Sequence, residues 1–188
     1  MKHHNDKIKV GISSCLLGNR VRWNAKHKHD YFFTEILSQY FDYIPVCPEV
    51  ECGLGVPRET LKLKGNWRNP LLMTTNTKID LTDLVKKWAA KKIKQLDSKN
   101  LCGFIFKSGS PSCGMQKIKV YPDCNIVPVK KGVGIFAKAF MEHFSNIPVK
   151  ENEQLHNPNV CENFIEQVFT MKRRQDVLSK KRAAGYYR

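Results

Sequence analysis

The chain has 188 residues, 41% hydrophobic and 26% charged, with a formal net charge of +15. These proportions suit a globular chain with one well-buried core, and no uninterrupted apolar run is long enough to span a membrane. The opening MKHHNDKIKV runs from polar residues straight into a strand, without the apolar stretch of a signal peptide, so a cytoplasmic protein is expected. The positive excess favours phosphate-bearing partners, from nucleotides to RNA, although a solvated basic surface would account for it too.

In chain order, Ile8–Ser14 reads as a first strand, followed by the loop CLLGNRVRWNAKHKHD. Tyr31–Tyr40 has Phe33, Ile36, Leu37 and Tyr40 at helical spacing and predicts an amphipathic helix. Asp42–Cys47 is a second strand, running into CPEVECGLGVPRE. Thr60–Thr77 reads as irregular or hairpin-like, with a turn at Asn69-Pro70. Asp80–Leu96 carries an apolar stripe of Leu81, Leu84, Val85, Trp88, Ile93 and Leu96 under a lysine-rich face, the pattern of a surface helix. Leu101–Lys107 is a short apolar run expected to form a buried parallel strand. Further short strands are expected at IKVYPD and Asn146–Val149, with a helix after KKGVG. The alternation of strands and helices predicts a three-layer α/β domain with a Rossmann-like, mostly parallel sheet over residues 1–150. Residues 151–188 read as a basic helical tail or truncated appendage.

Seven cysteines are present, an odd number with no CxxC pair. That excludes a zinc-ribbon or thioredoxin motif, and in a reducing compartment it points to metal binding or catalysis rather than disulfides. Three of the seven share one setting: Cys15, Cys47 and Cys113 each follow a strand, the last on the turn-forming loop KSGSPSCG. Ligands of open α/β sheets bind beyond the carboxyl ends of the strands, so the three cysteines are expected to share one pocket. A phosphatase-type loop is excluded, because neither Arg20 nor Arg22 falls at the spacing from Cys15 that such a loop requires. Widely separated cysteines on one crevice suit a cluster or a metal with an open position; buried structural cysteines are the competing reading. Cys102 is expected in the core, Cys124 and Cys161 have no evident role, and Cys52 competes with Cys47. Glu49, two residues past Cys47, is a candidate proton carrier. Ser110 and Ser112 flank Pro111 and are candidates to hydrogen-bond a substrate heteroatom, although serines in turns often bond their own backbone. His27 and His29, with Lys26, Lys28 and Arg22, sit on a basic loop suited to a phosphate or a base. Gly132 and Gly134 open a helix whose N–H groups are a weak anion-cradle candidate.

The blocks SSCLLGNRVRW, VCPEVECGLGVPRE and SPSCGM, in that order, resemble the thiouracil desulfidase family of the TudS type across roughly Lys7–Val149. The segment LHNPNVCENFIEQVFTMKRR resembles the start of an additional helical domain carried by one branch of that family. The resemblance implies a 4Fe-4S cluster on Cys15, Cys47 and Cys113, whose fourth iron takes the sulfur of a thiocarbonyl. It implies catalytic roles for Glu49 and Ser110. Ser14, Arg20, Arg22, His27, His29, Lys107 and Ser112 are the expected substrate contacts. Relatives commonly read VRYDGGHK where this chain has VRWNAKHK, so Asn24 and Ala25 depart from the pattern at a loop near the substrate. The function expected is a non-redox desulfidase acting on a thiolated pyrimidine base or nucleotide, with RNA contact through the basic surface as a further expectation. A redox iron–sulfur enzyme and a basic adaptor with structural cysteines are the alternatives.

Overall fold

A computed structural model describes residues 7–123 and 127–183; Cys124 lies outside them. Four parallel strands form the central sheet in the order β2-β1-β5-β8: β1 (Ile8–Ser13), β2 (Phe41–Val46), β5 (Gly103–Phe106) and β8 (Val149–Glu151). The chain moves from β1 outward to β2 and then crosses back over β1 to β5. The switch in direction opens a crevice at the carboxyl ends of β1 and β5.

The sheet is buried on both faces. On one, Val10, Ile12 and Ile105 pack with Phe33, Leu37, Phe164 and Val168; on the other, Val46, Phe104 and Phe106 pack with Ala89, Ile93, Phe136 and Phe140. The second face is covered by α2 (Thr82–Asp97) and α3 (Ile135–His143), the first by α4 (Pro158–Ala183). Gly11 is needed where β1 faces Phe104, because a Cβ there would stand 2.2 Å from that ring. The result is the three-layer α/β architecture expected. No helix among the described residues is long and apolar enough to cross a membrane.

Three features differ from the sequence reading. First, a second sheet of order β4-β3-β6-β7 packs beside the first, from β3 (Leu61–Lys64), β4 (Leu71–Thr74), β6 (Ile118–Tyr121) and β7 (Val129–Gly132). The hairpin foreseen over Thr60–Thr77 is β3–β4, turned by Asn66, whose side chain accepts from the Arg68 N–H at 2.9 Å. The parallel pairing of β3 with β6 is a long-range contact that no local pattern announces.

Second, Tyr31–Tyr40 is not a regular α-helix but a π-helical turn, Phe32–Ile36, followed by a 3-10 turn, Leu37–Gln39. Ser38 Oγ donates to the Thr34 carbonyl at 2.5 Å and Gln39 Nε2 to the Glu35 carbonyl at 3.2 Å. Side chains that bond carbonyls one turn back disturb the regular ladder. Phe33 and Leu37 are still buried, as the spacing requires.

Third, the chain runs through residue 150 inside β8, and a 3-10 turn capped by Glu151 and Gln154 leads into α4. Leu155, Cys161, Phe164 and Val168 then join the core around β1. The amino-terminal half of α4 therefore completes the layer over the sheet.

Candidate functional site

A cavity of about 340 Å³ sits in the crevice beyond β1, β2 and β5, within the range of small-molecule sites. Cys15, Cys47 and Cys113 all line it. Each is placed by a strand end. β1 passes into a 3-10 turn, Ser14–Leu17, stopped by Gly18 at φ 89°. β2 passes at Cys47 into the short helix α1 (Pro48–Glu51). β5 passes into the serine loop, where Gly109 takes φ 69°. Cys102 is buried, its sulfur facing Gln175 Oε1 of α4 at 3.3 Å, and Cys161 packs in the core. Cys52 bonds the Glu49 carbonyl and is not on the cavity wall.

All six described cysteines are free thiols. Burial pushes the Cys47 thiol up to about 11, and desolvation raises Cys15 and holds Cys113 well above the ordinary thiol value. The anionic form of Cys15 is favoured by Lys107 and Arg22, and that of Cys113 by a hydrogen bond from Ser13. Buried thiols of this kind act as thiolate ligands only beside a strong positive centre, which a bound metal supplies. Among the described residues no group of three His, Cys, Asp or Glu side chains closes on a single metal ion. The thiols instead stand around one cavity, a donor set that fits a multi-iron group better than one ion.

Glu49 lines the same cavity and is held on both oxygens. Arg58 donates to Oε2 from Nε at 2.9 Å and from Nη2 at 2.6 Å, while Ser112 Oγ donates to Oε1 at 2.9 Å. The Arg58 side chain is only 7% exposed; its remaining hydrogen bonds go to the Gly55 and Val21 carbonyls. Ser112 is fully buried, off the cavity wall, and bonds Glu49. Ser110 faces the cavity, and its oxygen accepts from the Ser112 and Cys113 N–H groups at 3.2 and 3.1 Å. Both acceptances leave its hydroxyl hydrogen free to donate. Ser14, whose oxygen accepts from Asn19, also lines the cavity.

Of the expected basic contacts, Arg22 and Lys107 line the cavity, whereas Arg20, His27 and His29 do not. His29 bonds Thr34 and packs on Tyr31 at 4.4 Å between ring centroids. The loop is turned this way because Lys28 N–H donates to the Cys15 carbonyl and Asp30 N–H to that of Leu16. Lys28 lines the cavity too, along with Trp23 and Arg58. Lys28 belongs to the basic loop singled out in the sequence, whereas Trp23 and Arg58 are absent from the sequence-based site. Arg58 was visible only as part of the block VCPEVECGLGVPRE.

The N–H groups opening α3 do not face a ligand. Gly134, Ile135 and Phe136 donate to the Gly114, Pro111 and Ser112 carbonyls, and so clamp the serine loop. Gly134 is required there, since a Cβ would lie 2.6 Å from the Ser112 backbone.

The profile of the 2-thiouracil desulfurase family matches residues 10–152. A curated relative, the uncharacterized protein YbbK of Bacillus subtilis (strain 168), is 30% identical over 108 residues, 55% of this chain and 71% of its own. A solved structure, that of the 4Fe-4S-dependent thiouracil desulfidase TudS, superposes with a TM-score of 0.64 at 24% identity. The match covers 84% of this chain and 99% of that one, a shared fold.

Proposed function

The chain belongs to the 2-thiouracil desulfurase family, and on that premise we propose that it converts a thiolated pyrimidine, free base or nucleotide, into its oxo form. In this reading Cys15, Cys47 and Cys113 are the protein ligands of a 4Fe-4S cluster. One observation carries it: three free thiols from three strand ends line one cavity beside a carboxylate locked in place. The reaction exchanges sulfur for oxygen. A thiocarbonyl and water give a carbonyl and hydrogen sulfide, with no net transfer of electrons. Bound on three cysteines, a four-iron cluster supplies one iron without a protein ligand, a soft acceptor for the thiocarbonyl sulfur.

The residues of the chain do the rest. Glu49 takes the proton of the attacking water or delivers one to a ring nitrogen, and Arg58 and Ser112 hold it for that task. Ser110 donates its hydroxyl hydrogen to a heteroatom of the ring. Arg22, Lys28 and Lys107 give the cavity a cationic wall, which a nucleotide phosphate would use and a neutral base would not.

The test is anaerobic reconstitution with iron and sulfide, followed by parallel kinetics on thiouracil and its nucleoside monophosphate. Sulfide release matching formation of the oxo product is expected. The nucleotide should show the lower KM at similar kcat, because phosphate contacts remote from the reacting carbon stabilise ground and transition states alike. That advantage should shrink with added salt. A loaded protein that desulfurates neither substrate overturns the function; equal KM values overturn the phosphate contact.

Contact with RNA is a second reading, and one observation favours it. In β3 and β6, Leu63 and Val120 are buried while Lys62, Lys64, Lys119 and Tyr121 alternate with buried neighbours, and Lys62 Nζ lies 5.6 Å over the Tyr121 ring. Basic side chains interleaved with an aromatic suit a polynucleotide. Charge reversal at Lys62 and Lys119 should weaken salt-dependent RNA binding and leave thiouracil turnover intact; unchanged RNA binding would reject that surface.

A further inference from the structure

Three tryptophans occupy different settings. Trp88 packs on Phe136 with ring centroids 5.3 Å apart. Trp67 has the Arg68 guanidinium 4.9 Å and the Lys131 ammonium 5.6 Å from its ring centre. Trp23 is 43% exposed and lines the cavity, where it is the one aromatic side chain among the described lining residues. Among the described residues no aromatic ring or cation packs on its indole.

The indole is nevertheless held by a well-tied backbone. Arg22 N–H donates to the Lys26 carbonyl and Ala25 N–H to that of Arg22, with Ala25 at φ 57° closing a tight turn. The Arg58 N–H donates to the Trp23 carbonyl at 2.8 Å, and the Arg58 guanidinium to the Val21 carbonyl at 2.9 Å. That same guanidinium holds Glu49. One residue therefore ties the aromatic wall of the cavity to its carboxylate.

We propose that Trp23 is the stacking surface for the substrate ring, and that Arg58 sets its position relative to Glu49. This inference rests on the desulfurase reading and adds a specificity rule to it. An aromatic thiocarbonyl heterocycle is accepted through its flat π face, and a saturated ring of the same outline is disfavoured. Stacking of a base on an aromatic side chain changes affinity by roughly 5- to 150-fold. Because the ring atoms away from the attacked carbon stay planar before and during reaction, the effect falls mainly on KM.

The experiment compares wild type with W23L, which keeps apolar bulk without a π face, and W23F, which keeps the face; W67L is the control outside the cavity. Circular dichroism melts check folding. The readouts are KM and kcat for 2-thiouracil and 5,6-dihydro-2-thiouracil, and calorimetric affinity for the product uracil. In W23L, KM for thiouracil and the uracil Kd should rise together by roughly 5- to 150-fold, with the preference over the dihydro ring lost. W23F should retain that preference, and W67L should match wild type. A wild type that neither binds uracil nor desulfurates thiouracil overturns the desulfurase reading and this inference together. A wild type that does both, with W23L unchanged in KM, uracil affinity and ring preference, overturns the role of Trp23 alone.

Discussion

Replacing Arg58 by Met probes the hydrogen-bonded pair at the centre of the site. Arg58 and Glu49 are 7% and 16% exposed in their side chains, with 2.6 Å between Nη2 and Oε2. R58M removes both bonds to the carboxylate and the bonds to the Val21 and Gly55 carbonyls. It leaves Glu49 a buried charge supported by Ser112. Breaking a buried pair on one side costs about 3–5 kcal/mol, so a melting temperature lower by roughly 6–20 °C is expected for a chain of this size. Urea melts of reduced, iron-free protein give the free energy, provided the slope is unchanged and the transition is two-state. E49M/R58M should recover most of the loss, since replacing both partners by apolar groups avoids the stranded charge. A loss in R58M below about 1 kcal/mol, the range of exposed pairs, would refute the reasoning. So would a double variant no more stable than the single one.

Glu49→Gln should keep the visible absorbance of the reconstituted cluster and lower kcat by about 10²–10⁴-fold, the contribution of a general acid–base group; normal turnover would reject the role. Serine at Cys15, Cys47 or Cys113 should abolish that absorbance, whereas Cys52→Ala and Cys102→Ala should retain it; retention in any of the first three would remove that residue from the ligand set. In iron-free protein the raised thiols keep protons that the unfolded chain loses, so stability should fall as pH rises. For Cys47 the window opens near the free-thiol value of about 8.5 and closes near about 11. A stability curve flat through that window would contradict the burial of these groups.

Much of the molecule follows from local pattern. β1 and β5, which lead to Cys15 and to the serine loop of Cys113, are strands of nearly continuous burial that need no alternation, and β2 leads to Cys47 at the edge of the sheet. Turn-forming residues after them put cysteines at strand ends. The 16 residues of α2 follow from an apolar stripe at helical period, although Leu84 within it is exposed. These are properties of near neighbours in the chain, so the family blocks and the three-layer plan could be read from them.

What tertiary structure decided is which side of each irregular loop meets the cavity. Arg22, Lys28 and Trp23 face it while Arg20, His27 and His29 do not. That depends on hydrogen bonds from Lys28 and Asp30 to the Cys15 and Leu16 carbonyls, for which a loop has no periodicity to serve as a guide. The pairing of Glu49 with Arg58, the buried bond from Ser112 over 63 residues, the β3–β6 pairing and the docking of Phe164 and Val168 beneath β1 are likewise contacts between distant segments. Their partners are chosen by burial and hydrogen-bond satisfaction in three dimensions. Residue types and local spacing set which strands and helices form; only the folded chain selects which of the polar residues between them share a site.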